Sequence, residues 1–339
     1  MTLAATLIVR NEARCITRCL DSIRPWVDRI IVLDTGSTDD TVRLARVSGA
    51  EVHHLQWPND FSVARNHVLD LADADWNLIL DADEWIASGG ETLRPWCEGP
   101  PRLGKACIHS SYDMPDAPAS DRSWITRLLP RGVRYEGRVH EQAVSSLPRE
   151  RLDLHIGHDG YRDAQMAGKS GRNRPLLLLD LQDQPGDPYI LFQLGKDAEI
   201  GDDFALACEH YAGALASTAD DANWLHELLV RHLHCLGQAG QAEQGLALAE
   251  SRIQRWVDSP DFFFVLGNLA LERAISDPAR AVGHWLPLAD SAWERCLEIG
   301  ERPDLEGSVE GRGSRLARHN LDTIRAQMAG LEAGAVQPL

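Results

Sequence analysis

No stretch of this chain approaches the ~20 consecutive apolar residues that a membrane-spanning helix needs, and Leu176 to Leu179 is only a short patch. Cys-x-x-Cys pairs are also missing. The seven cysteines (15, 19, 97, 107, 208, 235 and 296) are odd in number and scattered, which argues against a paired disulfide framework or a zinc ribbon and suits a reducing cytoplasm. Basic charge is in short supply: 34 Lys and Arg face 51 Asp and Glu, for a formal net charge of −17, so neither nucleic acid nor an anionic membrane is an expected partner. Residues 1–10 lack the basic leader and cleavage site of a signal peptide and read as a buried strand. A soluble, cytoplasmic protein without a transmembrane segment is expected.

At 339 residues, with 44% hydrophobic and 25% charged residues, the chain is globular in composition and long enough for two domains. Its first third alternates strand and helix patterns. Strands are predicted at Leu3–Val9, Arg29–Leu33, Glu51–Leu55 and Trp76–Leu80, with helices at Cys15–Ile23, Asp39–Val47 and Phe61–Ala72 between them. That order implies a parallel sheet with helices on both faces, whose ligands gather at the C-terminal strand ends. Three of those ends are polar: Asn11-Glu12, Asp34-Thr35-Gly36-Ser37 and Asp81-Ala82-Asp83-Glu84. Between about residues 97 and 165 Pro, Gly and short strand-like pieces, Ser123–Leu129 and Arg134–Val139, suit an α+β completion of the site.

Two carboxylates leaving one strand end, Asp81 and Asp83, suit Mg²⁺ or Mn²⁺, which keeps coordination positions for substrate phosphates. A carboxylate at Asp34 can accept from a ribose hydroxyl or a pyrimidine N–H, and Gly36 lets backbone come close. Ser37, with Asp40 three residues on, has the spacing of a helix capping box. No Gly-rich loop follows the first strand, which disfavours a sugar nucleotidyltransferase.

Taken in order, Asn11-Glu12, Val32 to Thr41, Phe61-x3-Arg65-Asn66 and Leu80-Asp81-Ala82-Asp83-Glu84 resemble the family 2 glycosyltransferases of the GT-A fold. Tyr135-Glu136-Gly137-Arg138-Val139-His140-Glu141-Gln142 and His158-x-Gly160-Tyr161 resemble later motifs of a branch that joins this domain to tetratricopeptide-like helices. That branch includes peptide S-glycosyltransferases of the sublancin type and relatives resembling lipooligosaccharide core transferases. The resemblance implies a nucleotide pocket at Asn11, Glu12, Asp34, Gly36 and Ser37, with Arg65, Asn66, Asp81 and Ala82 near the donor. It implies a metal shell of Asp81, Asp83 and His158, with Asp83 the principal carboxylate and His155 the residue most easily confused with His158. Glu141 is the expected general base, with His140 as rival, because the usual Glu-Asp pair is here His140-Glu141-Gln142.

After Asp163 the chain turns nearly all helical, and Gly195, Ala207, Tyr211 and Ala214 fall at the small/aromatic/small spacing of a tetratricopeptide unit. Gly267, Ala289, Trp293 and Cys296 repeat it after an insertion near Asp277-Pro278, a weak middle copy runs from Leu233 to Ala249, and Ser314 to Met328 closes the stack. The expected architecture is α/β: a GT-A, Rossmann-like nucleotide-sugar-binding domain (1–165), a linker (166–184) and an all-α tetratricopeptide-like domain (185–339). The expected function is an inverting, Mn²⁺- or Mg²⁺-dependent transfer from a UDP-sugar to a peptide side chain, cysteine included. The alternatives are a cell-envelope glycan acceptor or a non-catalytic adaptor, and the helical domain is a candidate homodimer surface.

Overall fold

The computed structural model describes residues 1–112, 119–159 and 173–335. The chain divides into two units, Met1–Asp180 and Leu181–Leu339.

In the first unit β1 (Leu3–Val9), β2 (Arg29–Asp34), β3 (Glu51–His54) and β4 (Trp76–Ile79) are parallel neighbours in the order β3-β2-β1-β4. The near-continuous apolar runs of β1, β2 and β4 follow from burial on both faces, whereas the edge strand β3 is polar and partly exposed. Leu3, Ala5, Leu7, Ile30 and Val32 pack on one side against α1 (Ile16–Ile23) and Ala45 of α2 (Thr41–Val47). Ala4, Ile31 and Leu33 pack on the other against α3 (Phe61–Ala72). These four strands are parallel as predicted, and the sheet becomes mixed where the α+β segment adds to it. Beyond β4 it continues through β7 (Ala119–Pro130), β6 (Leu103–Tyr112), β10 (Arg149–His158) and β5 (Glu84–Ser88), and β4 pairs β7 antiparallel. The strand predicted over Arg134–Val139 stops at Glu136, because Gly137 turns to φ +95°; β8 (Arg134–Glu136) and β9 (Gln142–Val144) form a separate hairpin. A short helix, α4 (Leu93–Cys97), lies between β5 and β6. The seven cysteine side chains are buried.

Within the span expected as a linker, Arg174–Asp183 forms a helix, α5, and its Asp180 carboxylate accepts from the Arg138 backbone N–H at 3.0 Å and guanidinium at 2.7 Å. The second unit is helical among its described residues, running through α6 (Pro188–Ile200), α7 (Phe204–Ser217), α8 (Leu225–Gln238), α9 (Ala242–Arg252), α10 (Pro260–Ser276), α11 (Leu286–Ile299) and α12 (Arg315–Ala335). No helix among the described residues is long and apolar enough to cross a membrane.

The repeat spacing has a steric basis. A Cβ on Gly195 would lie 2.3 Å from the Tyr211 ring, and one on Gly267 would lie 2.5 Å from the Trp293 indole. Each glycine is therefore the socket for the aromatic of the next helix. Tyr211 donates its hydroxyl to Glu199, and Trp293 donates Nε1–H to the Phe264 carbonyl at 3.2 Å, so neither ring buries an unpaired donor. In the middle copy Gly237 and Gly245 face Leu269 instead, which explains why no aromatic marks it. The insertion after Asp277 is a short turn, Pro278–Arg280, followed by a π-type turn, Ala281–Trp285.

We expect Gly195→Ala and Gly267→Ala each to lower stability by about 1–3 kcal/mol, the usual cost of overpacking, as read from urea unfolding of the full chain. His232 gives a pH signature: burial pushes its imidazole down to about 4, so the folded chain holds it neutral. The unfolded chain binds that proton more readily. Stability is thus full above about pH 6.5 and falls as the pH drops towards 4, by on the order of 3 kcal/mol over the window. A series of melting temperatures should show the decline, and His232→Leu should flatten it.

Candidate active site

Residues at the C-terminal ends of β1, β2 and β4 meet α3 and the β8–β9 hairpin at one sheet edge. Helix α3 begins because the Asp60 carboxylate accepts the Val63 N–H at 3.0 Å. Its buried face carries Ala64, Arg65, Val68, Leu69 and Ala72, so a guanidinium occupies a position in the apolar stripe. Arg65, only 7% exposed, must therefore be paired, and it is. Nε donates to Glu141 Oε1 at 2.7 Å and Nη2 to Asp81 Oδ1 at 2.8 Å, while the buried Nη1 has no hydrogen-bond partner among the described residues. The neighbouring Asn66 amide clasps the hairpin, donating to the Tyr135 carbonyl and accepting the Tyr135 N–H, both at 2.9 Å.

A second buried guanidinium, Arg127 on β7, reaches Asp81 Oδ2 at 3.3 Å and Glu84 Oε1 at 2.5 Å. Burial opposes ionisation of Asp81, but the charges of Arg65 and Arg127 outweigh it and hold the carboxyl well below the usual carboxylate range. The Asp81 side chain remains 40% exposed, so its oxygens are open to a ligand. Glu84 is the opposite case: burial, with the adjacent Asp81 charge, raises its carboxyl despite Arg127. Burial likewise pushes the Tyr135 hydroxyl up to about 12.

Asp83, 7% exposed, faces His158 at the end of β10, with Oδ2 and Nε2 3.5 Å apart. Nδ1 of His158 lies 3.2 Å from the Ser110 hydroxyl. Burial disfavours the imidazolium, yet the Asp83 hydrogen bond and the nearby carboxylates raise the His158 pKa. Ala82, between the acids in sequence, packs into the core. A carboxylate oxygen and an imidazole nitrogen at this separation, with an open Asp81 nearby, fit a shared divalent cation with oxygen and nitrogen ligands.

The nucleotide candidates form two loops stapled together. Asn11, at φ +58°, accepts the Thr38 N–H through Oδ1 at 2.8 Å, and its own N–H donates to Ser37 Oγ at 2.9 Å. Ser37 therefore does not cap the next helix as its spacing to Asp40 suggests; Asp39 accepts the Thr41 N–H at 3.0 Å instead. The Glu12 N–H donates to Thr41 Oγ1 at 2.7 Å. Asp34 is 4% exposed and accepts from the Gly36 N–H at 3.2 Å and the Ser37 N–H at 3.1 Å, with His54 Nδ1 at 3.2 Å. Burial works against its charge, and these donors still lower its pKa. Gly36 holds φ +109° with no protein atom within 4 Å of an added Cβ, so the turn needs glycine and its outer side is open.

Glu141 is 11% exposed within the ion cluster, whereas His140 is exposed, at φ +52°. Gly160 and Tyr161 of the late motif lie outside the described residues. Sequence reasoning missed Arg127 and the pair Arg14 and Arg18, which hold Asp159 at 3.1 and 2.8 Å, and gave Glu84 no role. Arg127 had a readable signal, a lone cation beside Leu128 and Leu129 in a strand pattern.

A sheet in the order β3-β2-β1-β4 with antiparallel additions, acids at its parallel edge and helices on both faces, is the α/β arrangement of the GT-A fold, here followed by helical repeats. Residues 6–103 match the family model for glycosyl transferase family 2. The chain is 37% identical over 203 residues to a TPR repeat-containing protein of Synechococcus elongatus, covering 56% of this chain and 50% of that protein. It is 30% identical over 221 residues to the SPbeta prophage-derived glycosyltransferase SunS of Bacillus subtilis, covering 59% and 50%. The chain thus spans about half the length of the curated relatives it matches. Among solved structures, glucosyl-3-phosphoglycerate synthase from Mycobacterium tuberculosis with Mn²⁺ and uridine diphosphate is 28% identical over 33% of this chain and 44% of that one, at a TM-score of 0.27.

Replacing Arg127 by Met would leave Glu84 buried without its cation, at a cost of about 3 kcal/mol or more at neutral pH. Urea unfolding should show that loss, and the Arg127→Met/Glu84→Gln double variant should recover part of it.

Proposed function

We propose that this chain is an inverting glycosyltransferase that moves a sugar from a UDP-sugar to a peptide side chain, cysteine included. The observation that carries the reading is the Glu141–Arg65–Asp81 chain of contacts beside the Asp83–His158 pair. It supports the reading by bringing a candidate base, a buried cation and two candidate metal ligands close together.

Asp83 and His158, with Asp81, would hold Mn²⁺ or Mg²⁺. That ion, when bound, supplies positive charge to the diphosphate leaving group. The chain's own residues do the rest. The stapled loops carrying Asn11, Glu12, Asp34, Gly36 and Ser37 receive the nucleoside, and the buried Arg65 guanidinium supplies positive charge beside the diphosphate. Glu141 takes the acceptor proton on the far side of the anomeric carbon as the acceptor atom bonds to it and the bond to the diphosphate breaks. Arg65 fixes the orientation of that carboxylate through Nε. Asn66 places the hairpin that carries Glu141.

Asp83→Ala should abolish metal-dependent donor binding and reduce turnover more than Asp81→Ala does, measured by calorimetry with UDP and Mn²⁺ and by product formation. Equal turnover by Asp83→Ala and the parent would overturn the metal assignment. Glu141→Gln should retain donor affinity and lose ~10²–10⁴ in turnover, with His140→Ala much milder. A thiol acceptor titrates at about 8.5, so raising the pH should restore part of the Glu141→Gln rate on a cysteine peptide and none on a serine peptide. A rate independent of pH on the cysteine peptide would argue for another acceptor.

A further inference from the structure

Strands β6 and β10 run parallel, and their register sets His155 opposite Cys107 and Gly157 opposite His109. Alternation along β6 puts Cys107 and His109 on one face, and the pairing brings His155 to them. The three candidate ligand atoms all lie within 4.8 Å of one another. His109 Nε2 and His155 Nδ1 are 2.8 Å apart, with ring centroids 5.1 Å apart and planes tilted by 38°. Behind them His155 Nε2 lies 3.3 Å from the Asp153 carboxylate. This is the arrangement in which a carboxylate keeps the proton on one ring nitrogen and leaves the other as a metal-directed lone pair.

We propose that Cys107, His109 and His155 form a second cation site, outside the Asp81, Asp83 and His158 cluster and independent of its role, that takes a thiophilic divalent ion, Zn²⁺ foremost. One thiolate and two imidazoles select Zn²⁺ over Mg²⁺ or Mn²⁺, which prefer oxygen ligands. On binding, Cys107 releases its thiol proton to solvent. His109, whose Nε2–H bridges to His155 without metal, carries its proton on Nδ1 instead, and water completes the tetrahedron. The ion would act as a clamp. The β6–β10 register is irregular between Arg151 and His155, just where the ligands sit, and β10 runs on three residues from His155 to His158. An ion held by all three side chains would tie β6 to β10 at that irregularity.

The test is to strip the protein of metal, titrate it with Co²⁺ as a spectroscopic substitute, and then displace the cobalt with Zn²⁺. One equivalent should bring up a thiolate-to-cobalt charge-transfer band. Cys107→Ser should abolish that band, and Asp83→Ala should leave it, since the Asp83–His158 pair has no sulfur. Asp153 is 84% exposed, so Asp153→Asn will fold; it should weaken Zn²⁺ binding about 10-fold or more through its effect on His155. Absence of the band at excess Co²⁺ in the parent, or its survival in Cys107→Ser with an unchanged circular dichroism spectrum, would overturn the site.

Discussion

One guanidinium holds the candidate site together. Arg65 enters from the buried stripe of a helix and ends between carboxylates that belong to the β4 edge and to the β8–β9 hairpin, 60 residues apart in sequence. A buried cation is tolerated only when its charge is met, so the helix, the sheet edge and the hairpin must close around it together. The dependence is mutual. Asp81 stays ionised because Arg65 and Arg127 outweigh its burial, and Glu141 has its orientation because Arg65 supplies a directed N–H. Glu84 shares the second guanidinium and is driven the other way by the neighbouring charge, so two acids three residues apart have opposite electrostatic fates.

The central parallel strands β1, β2 and β4 were legible because they are buried on both faces and therefore write largely apolar runs. The acids at their ends were legible for the related reason that the apolar run stops abruptly where the strand leaves the core. Strands β6 and β10 were harder to see. Each has one polar face, carrying residues such as Lys105, His109, Asp153 and His155, and short alternating patterns of that kind resemble loop. Their pairing is also between segments distant in sequence, which no local pattern records. Arg65 was singled out by motif, yet its burial could have been read from physics alone: with Val68, Leu69 and Ala72 it completes a helical stripe. Ser37 misled because capping spacing is common in turns, and the hydroxyl found a backbone donor on another loop.

In the helical unit the sequence signal was a pair of residue types at a distance, and its physical content is a socket and a plug. Gly195 receives Tyr211 and Gly267 receives Trp293, with the polar tip of each ring anchored to the helix of the socket. Where Leu269 takes the place of an aromatic, the motif fades from the sequence while the close approach of the helices persists.

Asp34 shows what such anchoring implies for recognition. Its oxygens are already committed to the N–H groups of its own turn, and Asn11 and Ser37 cross-link that turn to the loop after β1. A surface assembled this way before a guest arrives has little backbone freedom left to surrender on contact. Discrimination then falls to the outward-facing rim of the turn, and tight association there would be governed more by shape than by rearrangement.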